Sequence, residues 1–343
     1  MFFEGKTVLV TGGTGSMGST LVKRILGGER GCPRKLIVFS RDEAKQHDMR
    51  MNYLNRTVGT DETIYSNFAR VLEFRIGDVR DYGDVCSAVR DADIVISAAA
   101  LKQVPTCEYF PEQAVLTNCT GAANIVRAIR DNGYPVQTVM GISTDKAAKP
   151  VNVMGMTKAI QERIFTTANI VAPSCRFVCV RYGNVLASRG SVIPLFLKQI
   201  ECGGPLTLTS PDMTRFLLSL DAAVDTVFAA FERALPGEIF VPKIPSANIK
   251  VLVEELLAGR DLKIQVTGIR PGEKIHEILV SEEEGPRTVD LGDYYAMGPM
   301  LPELAPERPG LERLGGEYNS RDAVMDRADT RAFLAANGFA WKG

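Results

Sequence analysis

Thr7-Val8-Leu9-Val10 is a short apolar, β-branched run that ends in a glycine-rich turn, after which Met17, Leu21, Val22, Ile25 and Leu26 recur at the spacing of one helix face. The pattern predicts strand, turn and helix. Further apolar runs stand at 35–39, 71–76, 93–98, 136–142 and 176–180, separated by helix-length segments such as 111–132 and 155–169. Strands alternating with helices predict an α/β fold built on a doubly wound parallel sheet of Rossmann type. Beyond about residue 186 the rhythm is broken by Pro194, Gly203-Gly204-Pro205, Pro211, Pro236-Gly237, Pro242, Pro245 and Pro271-Gly272. The expected division is a dinucleotide-binding domain over 1–185 and a smaller, mainly substrate-binding C-terminal lobe over 186–343. A strand near 238–242 could return to the first sheet, and the tail after about 295 is unassigned.

Composition narrows the partner. In 343 residues, 31 glycines and 18 prolines stay well below the level of low-complexity chains, so a folded chain is expected. Forty Lys and Arg against 41 Asp and Glu give a net charge of −1, which supplies no field to gather nucleic acid or an anionic membrane. A small molecule is the expected ligand. The longest apolar runs, such as 94–101, are about eight residues, far short of the roughly 18–20 that span a bilayer. The opening Met1-Phe2-Phe3-Glu4-Gly5-Lys6 lacks the regions of a signal peptide, and a cytoplasmic location is expected. Seven cysteines without a CxxC pair and only two histidines predict neither a metal site nor a disulfide framework. Cys175 and Cys179 read as core thiols, and His47 and His276 as surface or helix residues.

The turn Thr11-Gly12-Gly13-Thr14-Gly15-Ser16-Met17-Gly18 sits between the first strand and helix, where glycines let backbone approach a pyrophosphate at a helix N-terminus. Dinucleotide binding follows from that context. At the end of the second strand an acid would grip the ribose 2′-hydroxyl of NAD, whereas a cation would accept the 2′-phosphate of NADP. Ser40 and Arg41 favour NADP, and neighbouring Asp42 keeps NAD open. Asp78, in Gly77-Asp78-Val79, could accept from the adenine amino group or cap a helix.

Ser143-Thr144-Asp145-Lys146 follows the fifth apolar run, at the strand end where open parallel sheets carry their ligands, and Met154-Gly155-Met156-Thr157-Lys158 opens the next helix. An adjacent acid and amine can divide proton donation from proton removal, or form an ordinary surface ion pair. Lys102 stands at another strand's carboxyl end, where it could face a sugar or a phosphate.

Together, the 11–18 turn, Ala98-Ala99-Ala100-Leu101-Lys102-Gln103-Val104-Pro105, 143–146, 154–158, Arg181-Tyr182-Gly183-Asn184 and Arg270-Pro271-Gly272-Glu273-Lys274 resemble the extended short-chain dehydrogenase/reductases. More closely, residues 3–295 are similar to the inverting UDP-N-acetylglucosamine 4,6-dehydratases of capsule and O-antigen synthesis. The resemblance implies cofactor contacts from Gly12, Thr14, Gly15, Ser16, Met17, Gly18, Ser40, Arg41, Asp78, Val79, Ala98, Ala99, Ala100 and Lys158. It implies that Asn184, Arg215 and Arg270 hold the uridine diphosphate of a UDP-sugar, that Glu273 accepts from its ribose, and that the protein is a homo-oligomer.

The superfamily normally carries Tyr-x-x-x-Lys. Here Met154 occupies the Tyr place and Lys158 the Lys place, a departure shared by the capsule-type subset, and a thioether cannot take a hydroxyl proton. Lys146 stands where retaining dehydratases have Glu, which implies inversion at C5. The implied chemistry is oxidation at C4, removal of the C5 proton by Lys146, loss of the C6 hydroxyl as water protonated by Asp145, return of hydride to C6, and reprotonation of C5 on the opposite face. As a base Lys146 must lose its own proton, which burial and Lys158 would promote and an ionised Asp145 would oppose. The alternatives are a UDP-sugar 4-epimerase, which on this fold keeps the Tyr, and a non-catalytic NADP-binding regulator, which would need no proton pair.

Overall fold

The computed structural model describes residues 1–54, 62–186, 192–305 and 308–339. Its centre is a nine-stranded sheet built from β1 (Thr7–Thr11), β2 (Lys35–Ser40), β3 (Leu72–Ile76), β4 (Ile94–Ser97), β5 (Thr138–Thr144), β6 (Arg176–Tyr182), β7 (Ile239–Pro242), β8 (Thr288–Asp290) and β9 (Tyr294–Met297). The order is β8-β9-β7-β6-β5-β4-β1-β2-β3. The strands from β3 across to β7 run parallel, and β9 and β8 complete the edge antiparallel. Every residue of β1 and β4 is buried, as continuous apolar runs covered by helices on both faces require. The chain leaves β1 for β2 on one side and reaches β4 on the other, so the strand order reverses beside β1 and opens a crevice at the carboxyl ends.

The predicted helix over 111–132 is interrupted. Pro111–Ala114 and Gly121–Asn132 are α-helical, but Val115–Thr120 between them is a π-helical turn. That turn carries buried Asn118, whose Oδ1 accepts from the Leu101 amide at 2.9 Å and whose Nδ2 donates to Leu101 O and Thr157 Oγ1, both at 3.0 Å. A wider turn that aims a polar side chain inward is a recurrent use of this geometry. It fixes the loop that bears Lys102.

The second lobe has its own apolar cluster, including Phe196, Leu206, Leu217, Leu252 and Val253. Its tail is woven in. Tyr318–Asn319 pairs antiparallel with Ile278–Val280, Ser246 donates its amide to Ala323 O at 2.9 Å, and Leu334 joins the lobe's core. Where this lobe meets the sheet, fully buried Arg181 on β6 bonds Glu162 at 2.6 Å and Glu284 at 2.7 Å. A buried guanidinium is tolerable here because carboxylates and the Leu279 carbonyl satisfy its donors.

Candidate active site

A cleft of about 680 Å³ runs along the carboxyl ends of β1, β2, β4, β5 and β6. At one end lies the glycine turn. Gly12 has φ +66°, and a Cβ there would stand 2.8 Å from Ala99 Cα and N; a Cβ on Gly18 would stand 2.4 Å from Gly12 O. Only glycine permits this approach of β1, helix and β4. The helix Ser16–Leu26 begins at Gly15 with no side-chain cap and no acid in its first turn, leaving amides and the positive dipole end to the cleft. Thr14, Ser16 and Met17 line the same end, and Ala98, Ala99 and Ala100 form the floor after β4.

Ser40 and Arg41 line the cleft where β2 ends. Gln46 donates to Ser40 Oγ at 3.0 Å, and the exposed Arg41 guanidinium reaches Asp78 Oδ2 at 3.7 Å. Asp78 is not a helix cap: Asp81 caps the helix Tyr82–Val89, while Asp78 accepts from Arg80 at 2.5 Å. Burial pushes Asp78 up, but the Arg80 hydrogen bonds outweigh it and hold the carboxyl below its ordinary value. Val79 also lines the cleft, and its carbonyl accepts from Asn124 at 3.0 Å.

At the other end β5 delivers Thr144, Asp145 and Lys146. Asp145 is fully buried; its Oδ1 accepts from Thr144 Oγ1 at 2.8 Å and from Lys146 Nζ at 3.1 Å, while Oδ2 has no partner among the described residues. Burial pushes Asp145 up; Lys146 opposes the rise, and Glu277 adds to it. Lys158 is buried, and Nζ donates to Ile142 O and Gln161 Oε1. Burial drives its ammonium down to about 8. Met154 is buried against Cys107, Ala114 and Leu101 and lines the cleft.

The expectation that burial and Lys158 would free Lys146 of its proton is corrected. Burial works that way, but Asp145 and Glu277 outweigh it and hold Lys146 above its ordinary value.

Lys102 and Asn184 line the cleft, and Asn184 Oδ1 is buried without a partner among the described residues. Three residues expected at a diphosphate or its ribose lie outside the cleft lining. Arg215 is buried and donates to the carbonyls of Thr214, Lys274 and Ile275 at 2.7, 3.0 and 3.1 Å, so its fork anchors the 270–275 loop. Arg270 is exposed, and its amide is 3.4 Å from Glu273 Oε2, a contact that turns the Glu273 carboxylate back on its own loop. His276 meets Thr214 Oγ1 through Nδ1 at 2.8 Å.

Glu277 is the residue the sequence reading missed. It is buried, with Oε1 3.4 Å from Lys146 Nζ and 3.7 Å from Arg215 Nε. The signal available was an acid placed directly before the apolar run Ile278-Leu279-Val280.

Comparison with known proteins adds independent findings. A family model described as polysaccharide biosynthesis protein matches residues 8–299. The chain is 45 % identical over 298 residues to a UDP-glucose 4-epimerase of Rickettsia akari, covering 85 % of this chain and 83 % of that one. It is 46 % identical, over the same shares, to a UDP-glucose 4-epimerase of Rickettsia bellii. Among solved structures it is similar to Pen from Bacillus thuringiensis, at 32 % identity and a TM-score of 0.87 over 99 % of this chain and 100 % of that one. The dTDP-glucose 4,6-dehydratase DesIV of Streptomyces venezuelae shares the fold, at 21 % identity and a TM-score of 0.65 over 78 % of this chain and 86 % of that one.

Proposed function

We propose, from the premise that this chain belongs to the polysaccharide biosynthesis protein family of extended short-chain dehydrogenase/reductases, that it dehydrates UDP-N-acetylglucosamine across C4, C5 and C6 with inversion at C5. The observation that carries this reading is the pair of buried Asp145 and half-buried Lys146 lining the same cleft as Met154. Bound NADP+ would supply a hydride acceptor at C4 and return the hydride at C6 within one turnover. The resident nucleotide would be NADP rather than NAD because Ser40 and Arg41 line the cleft where a 2′-phosphate would lie.

Asp145 Oδ2 is the acceptor for the C4 hydroxyl proton. A carboxyl raised by burial can take a proton and later give it, so the same group protonates the C6 hydroxyl as it leaves. Lys146 gives its ammonium proton to solvent and then removes the C5 proton, and a solvent proton delivered to the opposite face of C5 as the hydride returns completes the inverted centre. Met154 fills space beside the reacting carbons and exchanges no proton.

The names of the Rickettsia relatives favour a second reading, a UDP-sugar 4-epimerase. Met154 argues against it, since epimerisation on this fold uses a phenol to take and return the C4 proton. Incubation with UDP-N-acetylglucosamine in D2O, followed by NMR, separates the two. The dehydratase yields a 4-keto-6-deoxy sugar with solvent deuterium at an inverted C5; recovery of the C4 epimer alone overturns it. Unreacted sugar from folded, cofactor-loaded protein points to the non-catalytic regulator.

A further inference from the structure

Lys146 has two acidic neighbours, and the second comes from a distant part of the chain. Its Nζ lies 3.1 Å from Asp145 Oδ1 and 3.4 Å from Glu277 Oε1. Glu277 is buried and is not among the residues that line the cleft, so Lys146 stands between the cleft and this carboxylate. Glu277 Oε2 is buried without a partner among the described residues, so nothing but the cations offsets the cost of burying this charge. Those cations are Lys146, Arg215 at 3.7 Å from Oε1, and Lys274, whose Nζ donates to Ala148 O at 2.5 Å. The backbone of Glu277 is held on both sides by one tail residue: Ser320 Oγ accepts its amide at 2.9 Å, and the Ser320 amide donates to its carbonyl at 2.8 Å.

We propose that Glu277 is a positioning residue that acts through Lys146, gripping the ammonium from behind so that its nitrogen is fixed beside Asp145 and keeps its proton until substrate is bound. The C-terminal tail, through Ser320, keeps Glu277 in that place. The proposal rests on the dehydratase reading only where it assigns Lys146 as the base at C5.

The sign of the effect follows from the charges that face Lys146. Asp145 and Glu277 favour its ammonium, while burial and the Arg215 guanidinium disfavour it. Neutralising Glu277 removes one of the two favourable charges, so Lys146 should lose its proton at lower pH. Asp145 feels Glu277 as a like charge, so its proton should also leave at lower pH. Activity needs Asp145 ionised to accept the C4 hydroxyl proton and Lys146 neutral to remove the C5 proton, and both titrations should therefore move to the acid side in Glu277→Gln. Glu277→Asp, with its charge one methylene further from Nζ, should move them less.

Competitive labelling with trace acetic anhydride across pH, read by mass spectrometry at Lys146, tests this without substrate. The expected result is a Lys146 titration in Glu277→Gln at least one pH unit below wild type, with Glu277→Asp between the two. A Glu277→Gln titration within 0.2 unit of wild type overturns the proposal whatever the enzyme turns out to catalyse. If Glu277→Gln does not fold, Glu277→Asp decides alone: a titration below wild type supports the proposal, and an unchanged one overturns it. The companion readout is kcat against pH with UDP-N-acetylglucosamine, where the optimum should move to lower pH by half a unit or more while KM stays within threefold. A changed KM with an unmoved optimum would mark a merely structural role. If the wild type yields only the C4 epimer, the dehydratase reading fails while the labelling result stands by itself.

Discussion

The two ends of the cleft are built by opposite means. At the nucleotide end the decisive contacts come from seven consecutive positions, Gly12 to Gly18, and are backbone contacts that a single Cβ would fill. At the other end Asp145, Lys146, Arg215, Glu277 and Ser320 come from four separated stretches, and side-chain charge holds them together. The first end is sensitive to volume and indifferent to pH. The second tolerates changes of shape better than changes of proton count.

That contrast can be broken most sharply at Asp145. Asp145→Asn keeps the shape and loses the proton carrier, so kcat should fall by about 10³, within the range for a lost general acid–base group, while NADP affinity stays within about threefold. Single-turnover absorbance at 340 nm should show the first hydride transfer suppressed as well. Any residual transfer should rise with pH and level off above about 8, where buried Lys158 becomes neutral and can accept the proton instead. Transient NADPH at the wild-type rate would remove Asp145 from the oxidation step.

Gly18→Ala is the converse. Its methyl meets the Gly12 carbonyl, and an overpacking penalty of a few kcal/mol should weaken nucleotide binding about 100-fold by calorimetry. Equal affinity would show that the turn can shift. Arg41→Ala should narrow the preference for NADP over NAD by about tenfold, the worth of one charge-assisted contact at an exposed site. Tighter NAD than NADP binding in the wild type would overturn that reading of β2. The smallest effect belongs to Met154→Leu, a volume-conserving change that should leave kcat within about threefold. A hundredfold loss would give the sulfur a part that its chemistry does not suggest.

Legibility divided along the same line. The glycine turn, the alternation of strand and helix, and the Asp145-Lys146 and Lys158 positions could be read because each depends on neighbours within a few residues. The partners of Arg215 were hidden because a guanidinium fork fits three backbone carbonyls as well as a diphosphate, and its bonds to them depend on the fold of the 270–275 loop. Asp78 could be read as an adenine contact or a helix cap, and the fold gives the cap to Asp81. The protonation of Lys146 was half legible, since the opposing charge of Asp145 stands next to it, whereas Glu277, which adds to that charge, is 131 positions away in the chain. The turn at 115–120 was hidden too, because its π geometry answers to Leu101 and Thr157 rather than to its own sequence.

Ser320 lies about 300 residues after the glycine turn, and this separation orders events during synthesis. A ribosome adding roughly 5–20 residues per second makes the Gly12–Gly18 turn some 15–60 s before Ser320 exists. In that interval the nascent chain gains the strands of a nucleotide cleft, and Glu277 is made, but nothing yet pins Glu277 behind Lys146. The hold of Ser320 on Glu277 can therefore form only after the glycine turn has been made.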